Sequence, residues 1–143
     1  MSDPYSRNLI QKDFYFSKTE IKGKFVVVLD GKLENRALNV IPQMSRAFPQ
    51  NSIIELIGTD EENIQQGSIV NKIAYIGFVE LLNGGVLLVG DRILWNDKEI
   101  GVIAGFDDTH MPNHQNVIVK MKERISGKEL GINLNDQITL PGF

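Results

Sequence analysis

The segment GGVLLVGDRILWNDKEIGVIAGF, residues 84–106, decides the fold class of this chain. It contains three short apolar runs, rich in Val, Ile and Leu, that Gly-Asp and Asn-Asp pairs separate. Apolar runs of about four to eight residues between turn-forming residues are typical of β-strands joined by tight turns. The segment therefore predicts strands over 84–90, 91–96 and 98–106.

The same pattern continues on both sides of this segment. Further strands are predicted over 23–31, 52–58, 116–122 and 136–140, and residues 68–82 are predicted to form one long strand or two. Gly77 lies inside the longest of these runs, where a glycine indicates a bulge or bend. Many short strands separated by turns favour a mainly β fold, a small closed or partly open β-barrel. The length of 143 residues fits one such domain, residues 1–143.

One segment, residues 35–51, has a different pattern. Its larger apolar residues follow helical spacing, at Leu38, Ile41, Met44 and Phe48. Pro42 suits the first turn of a helix, and Pro49 favours its end at the preceding residue. We therefore expect one short helix of about two or three turns at one end of the barrel.

Two stretches in the chain resemble each other. LLVGDRILW, residues 87–95, and INLNDQITL, residues 132–140, share an order of apolar residues, turn, Asp, one residue and Ile. Each pattern predicts a tight turn that leads directly into a strand. Two copies are too few to indicate a repeat protein.

Composition excludes several classes of function. The net charge of −3, with no long Lys/Arg run, is unlike that of a nucleic-acid-binding protein. The absence of cysteine excludes disulfides, thiolate metal sites and cysteine nucleophiles. We find neither a signal-peptide pattern nor the roughly 20 apolar residues that a membrane helix requires. We therefore expect a cytoplasmic protein without membrane insertion.

Residues 1–20 are the least patterned part of the chain. Four aromatic residues lie here, at Tyr5, Phe14, Tyr15 and Phe16. They indicate an arm that docks on the core of its own chain or on a second subunit, and the terminal Phe143 is a second candidate contact. A homodimer or another homo-oligomer is therefore one expected assembly.

Both histidines lie in the polar segment GFDDTHMPNHQN, residues 105–116. His114 follows His110 by four positions, a spacing that on a helix would place both imidazoles on one face. Pro112 lies between them, so we predict a loop between two strands. As a metal site, His110 and His114 would act with Asp108 or Asp107, a set that suits Zn, Mn or Fe(II).

Two other interpretations of the same loop stay open. The carboxylate of a metal site could come from elsewhere, such as Glu55 or Glu80. Alternatively, the loop binds a small polar ligand without a metal, as loops at a barrel mouth often do. The residues of that site are Asp107, Asp108, His110, Asn113 and His114. Against both stands a hairpin loop with no ligand, with His110 exposed and His114 at a strand entry, which we favour over a metal site.

Two other features have simple structural interpretations. Asp60, Glu61 and Glu62 lie in GTDEENIQQG, residues 58–67, and we interpret them as a solvated acidic turn rather than an acid–base pair. Trp95 is expected to pack in the core or at its rim rather than stack on a sugar. The glycines form no dinucleotide-binding or phosphate-binding pattern.

The order of elements resembles a known family. The helix-like segment leads into SIIELIGTDEENIQQGSIV, AYIGFVEL and LLVGDRILWNDKEIGVIAGF, and a polar loop ending in His114 precedes NVIVKM and SGKELGINLNDQITL. Over roughly residues 35–140 this arrangement is similar to the IIA component of the glucitol/sorbitol-specific sugar phosphotransferase system. The resemblance implies a small β-barrel in a cytoplasmic carbohydrate-uptake protein.

The chain departs from that family at its reactive residue. The resemblance places a phosphoryl-accepting histidine in the strand IAYIGFVEL, which here contains Tyr75, Gly77 and Phe78 but no histidine. We therefore expect a non-catalytic ligand-binding or regulatory barrel linked to carbohydrate uptake or metabolism, with a small polar molecule or a protein as partner. The alternatives are a metal-binding protein or metal-dependent enzyme, and a structural subunit. No catalytic residue can be assigned.

Overall fold

The computed structural model describes residues 17–143, so most of the predicted N-terminal arm lies outside the described residues. Twelve strands and one short helix form this part of the chain. The strands are β1 (Ile21–Val28), β2 (Lys32–Leu33), β3 (Leu38–Asn39), β4 (Ser45–Phe48), β5 (Ile53–Thr59), β6 (Ile69–Val70), β7 (Ile73–Leu81), β8 (Gly85–Leu88), β9 (Arg92–Trp95), β10 (Lys98–Asp107), β11 (Gln115–Lys120) and β12 (Gln137–Leu140), and the helix is α1 (Gly127–Leu130).

Seven of the strands close into a barrel. Their order is β1-β12-β9-β10-β11-β5-β7, and β7 pairs with β1 to complete the circle. All of these pairings are antiparallel except that of β11 with β5, which is parallel. The predicted β-barrel is confirmed.

The barrel interior is filled by alternate side chains of the strands. Phe25 and Phe106 are the largest fully buried side chains, and Ile54 and Leu56 of β5 pack in the same cluster. Successive side chains of a strand point to opposite faces of the sheet. Glu55, between Ile54 and Leu56, therefore lies on the outer face of the barrel.

A second apolar cluster lies outside the barrel core. It consists of Leu38, Val40, Ile57, Val70, Ile73 and Ile118. The two-stranded ribbon of β3 and β6 supplies Leu38 and Val70 to this cluster. Burial of these side chains fixes the ribbon on the barrel wall, which brings the β3 segment beside the end of β10.

The helix predicted within residues 35–51 is wrong. This segment forms β3 and β4 instead, and Ser45–Phe48 pairs antiparallel with Gly85–Leu88. The apolar spacing was compatible with both structures, and pairing with a strand some 40 residues away decided between them. The short helix is α1, which begins after Ser126, where Ser126 and Glu129 form a capping box.

Gly77 lies beside a shift in the strand register, as its sequence context predicted. Leu56 of β5 pairs with Gly77, but the next residue, Ile57, pairs with Tyr75. A Cβ atom at Gly77 would collide with the carbonyl oxygen of Val27 in β1. A side chain at this position would therefore disturb the pairing of β7 with β1.

The two similar stretches form two similar turns, Leu88–Asp91 and Asn133–Asp136. In each turn the first N–H donates to the Asp carboxylate, at 2.9 Å and 2.8 Å. The third residue, Gly90 or Asn135, has a positive φ of 98° or 71°. The turns lead into β9 and β12, which pair with each other. The predicted turn-to-strand arrangement is therefore confirmed.

The C-terminal residue is bound to the backbone near the start of β1. The backbone of Phe143 exchanges two hydrogen bonds with Lys18, but the Phe143 side chain remains 55% exposed. No helix in residues 17–143 is long and apolar enough to cross a membrane.

Candidate functional site

Four polar or aromatic side chains form a row across the outer face of the barrel. Asp107 of β10, Asn116 of β11, Glu55 of β5 and Phe78 of β7 are successive register partners on neighbouring strands. Their sequence neighbours pack in the barrel core, so these four side chains share the opposite face. We call this set the outer-face row.

The loop between β10 and β11 begins and ends beside this row. Within it, Met111 N–H donates to Asp108 O, and Asn113 N–H donates to His110 O. His114 N–H also reaches His110 O, at 3.3 Å, which is the spacing of an α-helical hydrogen bond. This one turn brings the two imidazoles together, with ring centroids 5.0 Å apart. The predicted loop is confirmed, and it reproduces the helical spacing locally.

Glu55, His110 and His114 converge at this point, and we call them the Glu55–His110–His114 cluster. One candidate ligand atom from each side chain lies within 4.8 Å of the other two. His114 Nε2 lies 2.9 Å from Glu55 Oε1. On its other side, His114 Nδ1 lies 2.7 Å from Asn113 Oδ1.

Two further side chains contact the cluster. Arg36 Nη2 lies 3.1 Å from His110 Nε2. The ring of Phe78 meets the ring of His114 edge to face, with centroids 5.0 Å apart. Sequence reasoning did not find Arg36 or Phe78, because their positions depend on the docking of the β3 segment and on the pairing of β5 with β7.

The cluster is closed on one side and open on the other. Glu55 is 5% exposed, and the side chain of His114 is 12% exposed. His110, by contrast, is exposed. A ligand bound here would therefore contact a buried carboxylate on the barrel side and solvent beyond His110.

The family comparison covers both the barrel and this cluster. The model of the family of unknown function DUF6917 matches residues 15–141. This chain belongs to the DUF6917 family. No curated protein and no solved structure matches the chain.

Asp107 of this DUF6917 protein anchors the loop. Its carboxylate is fully buried and accepts hydrogen bonds from Asn39 N at 2.7 Å, Thr109 N at 2.8 Å and Asn116 Nδ2 at 3.1 Å. Burial raises the pKa of Asp107, but the hydrogen bonds from Thr109, Asn39 and Asn116 outweigh burial and hold it below the usual value. Asp107 therefore serves the structure of the loop as an ionised acceptor.

Asp108 also lies apart from the two imidazoles. Arg46 Nη2 donates to both of its carboxylate oxygens, at 2.9 Å and 3.1 Å, and Gln115 Nε2 donates at 2.8 Å. Of the carboxylates considered for the site, Glu55 is the one that joins the histidines. Glu80, the other, lies against Lys24 at 3.7 Å.

The predicted ligand-binding residues thus divide into two groups. His110, Asn113 and His114 lie together, while Asp107 and Asp108 hold the loop. The sequence signal for Glu55 is a single charged residue in the apolar run SIIELIG, residues 52–58. Its approach to the histidines required the parallel pairing of β5 with β11.

The acidic segment 58–67 and Trp95 of the DUF6917 chain both make contacts that stabilise the fold. Glu61 Oε2 accepts hydrogen bonds from the backbone N–H groups of Asn71 and Lys72, at 2.8 Å and 2.6 Å. Trp95 packs against the barrel core and donates from Nε1 to Asp136 Oδ2 at 3.0 Å. These contacts agree with a structural turn and with packing at the rim of the core.

Proposed function

We propose that this protein binds a divalent transition-metal ion through Glu55, His110 and His114. The observation that carries the proposal is the mutual distance of the three ligand atoms, at most 4.8 Å. Two ligands at about 2.0–2.2 Å from one tetrahedral ion lie roughly 3.3–3.6 Å apart. A small rotation of the exposed His110 side chain would bring its ring nitrogen within this distance, and the His114 Nε2–Glu55 Oε1 pair, 2.9 Å apart, would open by about 0.4 Å or more. Two imidazoles and one carboxylate suit Zn²⁺, Mn²⁺ or Fe²⁺.

The contacts of His114 support a cation at this place. With Asn113 Oδ1 as the acceptor at 2.7 Å, the proton of a neutral imidazole lies on Nδ1. His114 Nε2 then presents a lone pair to Glu55 Oε1 at 2.9 Å, and two lone pairs repel. A proton between the two atoms, or a metal ion that both atoms ligate, would remove the repulsion. A hydrogen bond on the second ring nitrogen is also typical of metal-binding histidines.

Three protein ligands leave at least one coordination position for water or a ligand. That position faces solvent on the side of His110, so the proposed role is metal-dependent binding of a small polar molecule. The resemblance to the glucitol/sorbitol IIA component adds carbohydrate uptake or metabolism as the proposed setting. Phosphotransfer is not part of the proposal.

Equilibrium dialysis of untagged protein against Zn²⁺ tests metal binding. We expect about one ion per chain for the wild type. Glu55→Gln, His110→Ala and His114→Ala should each raise the Kd, with Glu55→Gln and His114→Ala at about 100-fold or more. Glu80→Gln is the matched control, because it removes a carboxylate from the neighbouring strand β7 that lies outside the cluster. Equal Zn²⁺ binding by the Glu55→Gln and Glu80→Gln variants would contradict the proposal.

A further inference from the structure

We infer that the metal site takes a small oxyanion, a carboxylate or a phosphate, that bridges the bound metal ion and the guanidinium of Arg36. The inference rests on the proposed metal site. It adds the chemical class of the ligand and assigns the residue that selects it.

Arg36 differs from the other described arginines in its charge partners. Four arginines lie in residues 17–143, and three of them, Arg46, Arg92 and Arg124, form salt bridges with carboxylates. Within the same residues, Arg36 has no carboxylate within 4.0 Å. The Arg36 side chain instead contacts the imidazole of His110, at 3.1 Å. A guanidinium presents a planar set of donors that matches the oxygens of carboxylates and phosphates.

With a metal ion bound, the site would carry a net positive charge. A divalent ion and Arg36 together carry three positive charges, and Glu55 supplies one negative charge. Asp107 is saturated by its own donors, and Asp108 is paired with Arg46, so neither compensates the site. An anion at the open coordination position would balance charge that the nearby side chains leave uncompensated.

Arg36 also lies on the side of the cluster that faces solvent. Its donor nitrogen contacts the imidazole that lies on the solvent side of the cluster. A ligand that enters beside His110 therefore meets Arg36 and the metal ion together. Metal coordination by His110 Nε2 would also end the contact with Arg36 and release its donors for the ligand. One oxygen would bind the metal, and a second oxygen would accept from the guanidinium.

Backbone hydrogen bonds, which do not involve the Arg36 side chain, hold the Arg36 segment in place beside the cluster. Arg36 N–H donates to Asn71 O at 3.0 Å, and the neighbouring Ala37 N–H donates to Asn71 Oδ1 at 3.2 Å. These bonds fix the segment to the chain that follows β6. A substitution of the Arg36 side chain therefore leaves the anchoring hydrogen bonds in place, which makes Arg36→Gln a suitable test.

Titration of the Co²⁺-loaded protein with anions tests the inference, because the visible absorption of Co²⁺ changes when a ligand enters its coordination shell. We expect acetate, pyruvate or inorganic phosphate to change the spectrum with saturation, and the neutral polyol glucitol to leave it unchanged. The relative affinity of the carboxylates and phosphate identifies which oxyanion the site prefers. Arg36→Gln should still load Co²⁺ but bind the preferred anion about 10-fold more weakly or worse. Arg36→Lys retains the positive charge but not the planar pair of donors, so its anion affinity should lie between that of the wild type and that of Arg36→Gln.

Arg92→Gln is the matched control, since the guanidinium of Arg92 is paired with Glu99 and takes no part in the loop or the cluster, and its anion affinity should equal that of the wild type. Co²⁺ loading without any anion response, or equal anion affinity in the wild type and Arg36→Gln, would overturn this inference and leave the metal site intact. Failure of the wild type to load Co²⁺ would overturn the proposed function, and the inference with it.

Discussion

Asp107 and Glu55 are two buried carboxylates on the same row of the barrel, and their surroundings differ. Asp107 accepts from two backbone N–H groups and the side-chain amide of Asn116. In the described part of the chain, the hydrogen-bond partner of the Glu55 carboxylate is the imidazole of His114. A carboxylate whose oxygens accept several hydrogen bonds stabilises the fold. A carboxylate with a single histidine as its partner has lone pairs left for a cation.

Asn116, which lies between the two carboxylates, contributes to this difference. Its Nδ2 group donates to Asp107 at 3.1 Å. Its Oδ1 atom is buried and has no hydrogen-bond partner among residues 17–143. The amide therefore directs its donor to Asp107 and offers none to Glu55. The two carboxylates occupy similar positions in the sheet, but only Asp107 has its carboxylate oxygens satisfied by several N–H donors.

Removal of the Asp107 carboxylate should give the largest effect on stability. Asp107→Ala leaves the part-buried Asn39 N and Thr109 N and the buried Asn116 Nδ2 without their acceptor, so we expect a loss of about 3–5 kcal/mol in the free energy of unfolding. Urea denaturation of the metal-free protein measures this loss. Glu55→Gln, measured in parallel, should change the stability by about 1 kcal/mol or less. Equal losses in the two variants would remove the distinction between an anchor and a ligand.

Metal should change the stability through Glu55 and not through Glu80. An ion that binds only the folded state at about 100 times its Kd stabilises that state by about 2.7 kcal/mol. We therefore expect Zn²⁺ to raise the Tm of the wild type and of Glu80→Gln. The same Zn²⁺ concentration should leave the Tm of Glu55→Gln nearly unchanged. A rise of the same size in Glu55→Gln would place the ion elsewhere.

The sequence predicted those parts of the fold that local sequence patterns determine. Apolar runs and turn residues were sufficient to place the barrel strands and the turns before β9 and β12. The segment 35–51 was not readable in this way, because its strands receive their hydrogen bonds from Ile69–Val70 and Gly85–Leu88. Its apolar spacing carried no information about those partners.

In the candidate site, too, residues close in sequence could be predicted, whereas residues brought together by folding could not. His110 and His114 were found because they are close in sequence, and Glu55 was considered as one of two distant carboxylates. The choice of Glu55 over Asp108 depended on which donors each carboxylate meets after folding. Arg36 lies 74 residues from His110, and no local pattern connects them.

A smaller effect is expected from acid. The folded-state pKa of Asp107 is lowered, so its contribution to stability is present above the unfolded pKa, near 3.8, and is lost as the pH falls through the folded pKa. Asp107→Asn cannot titrate at this position. Below about pH 4 its stability should therefore fall less steeply with decreasing pH than that of the wild type. Identical slopes, measured by urea denaturation at several pH values, would show that Asp107 is not the ionised anchor.

The central claim is that Glu55, and not Asp107 or Asp108, completes a metal site with the two histidines. Crystals of the protein grown with Zn²⁺, with diffraction recorded on both sides of the zinc absorption edge, test it directly. We predict one anomalous peak at about 2.0–2.2 Å from an imidazole nitrogen of His110, one of His114 and an oxygen of Glu55. A zinc ion bound at Asp107 or Asp108, or no peak at the Glu55–His110–His114 cluster, would contradict the account.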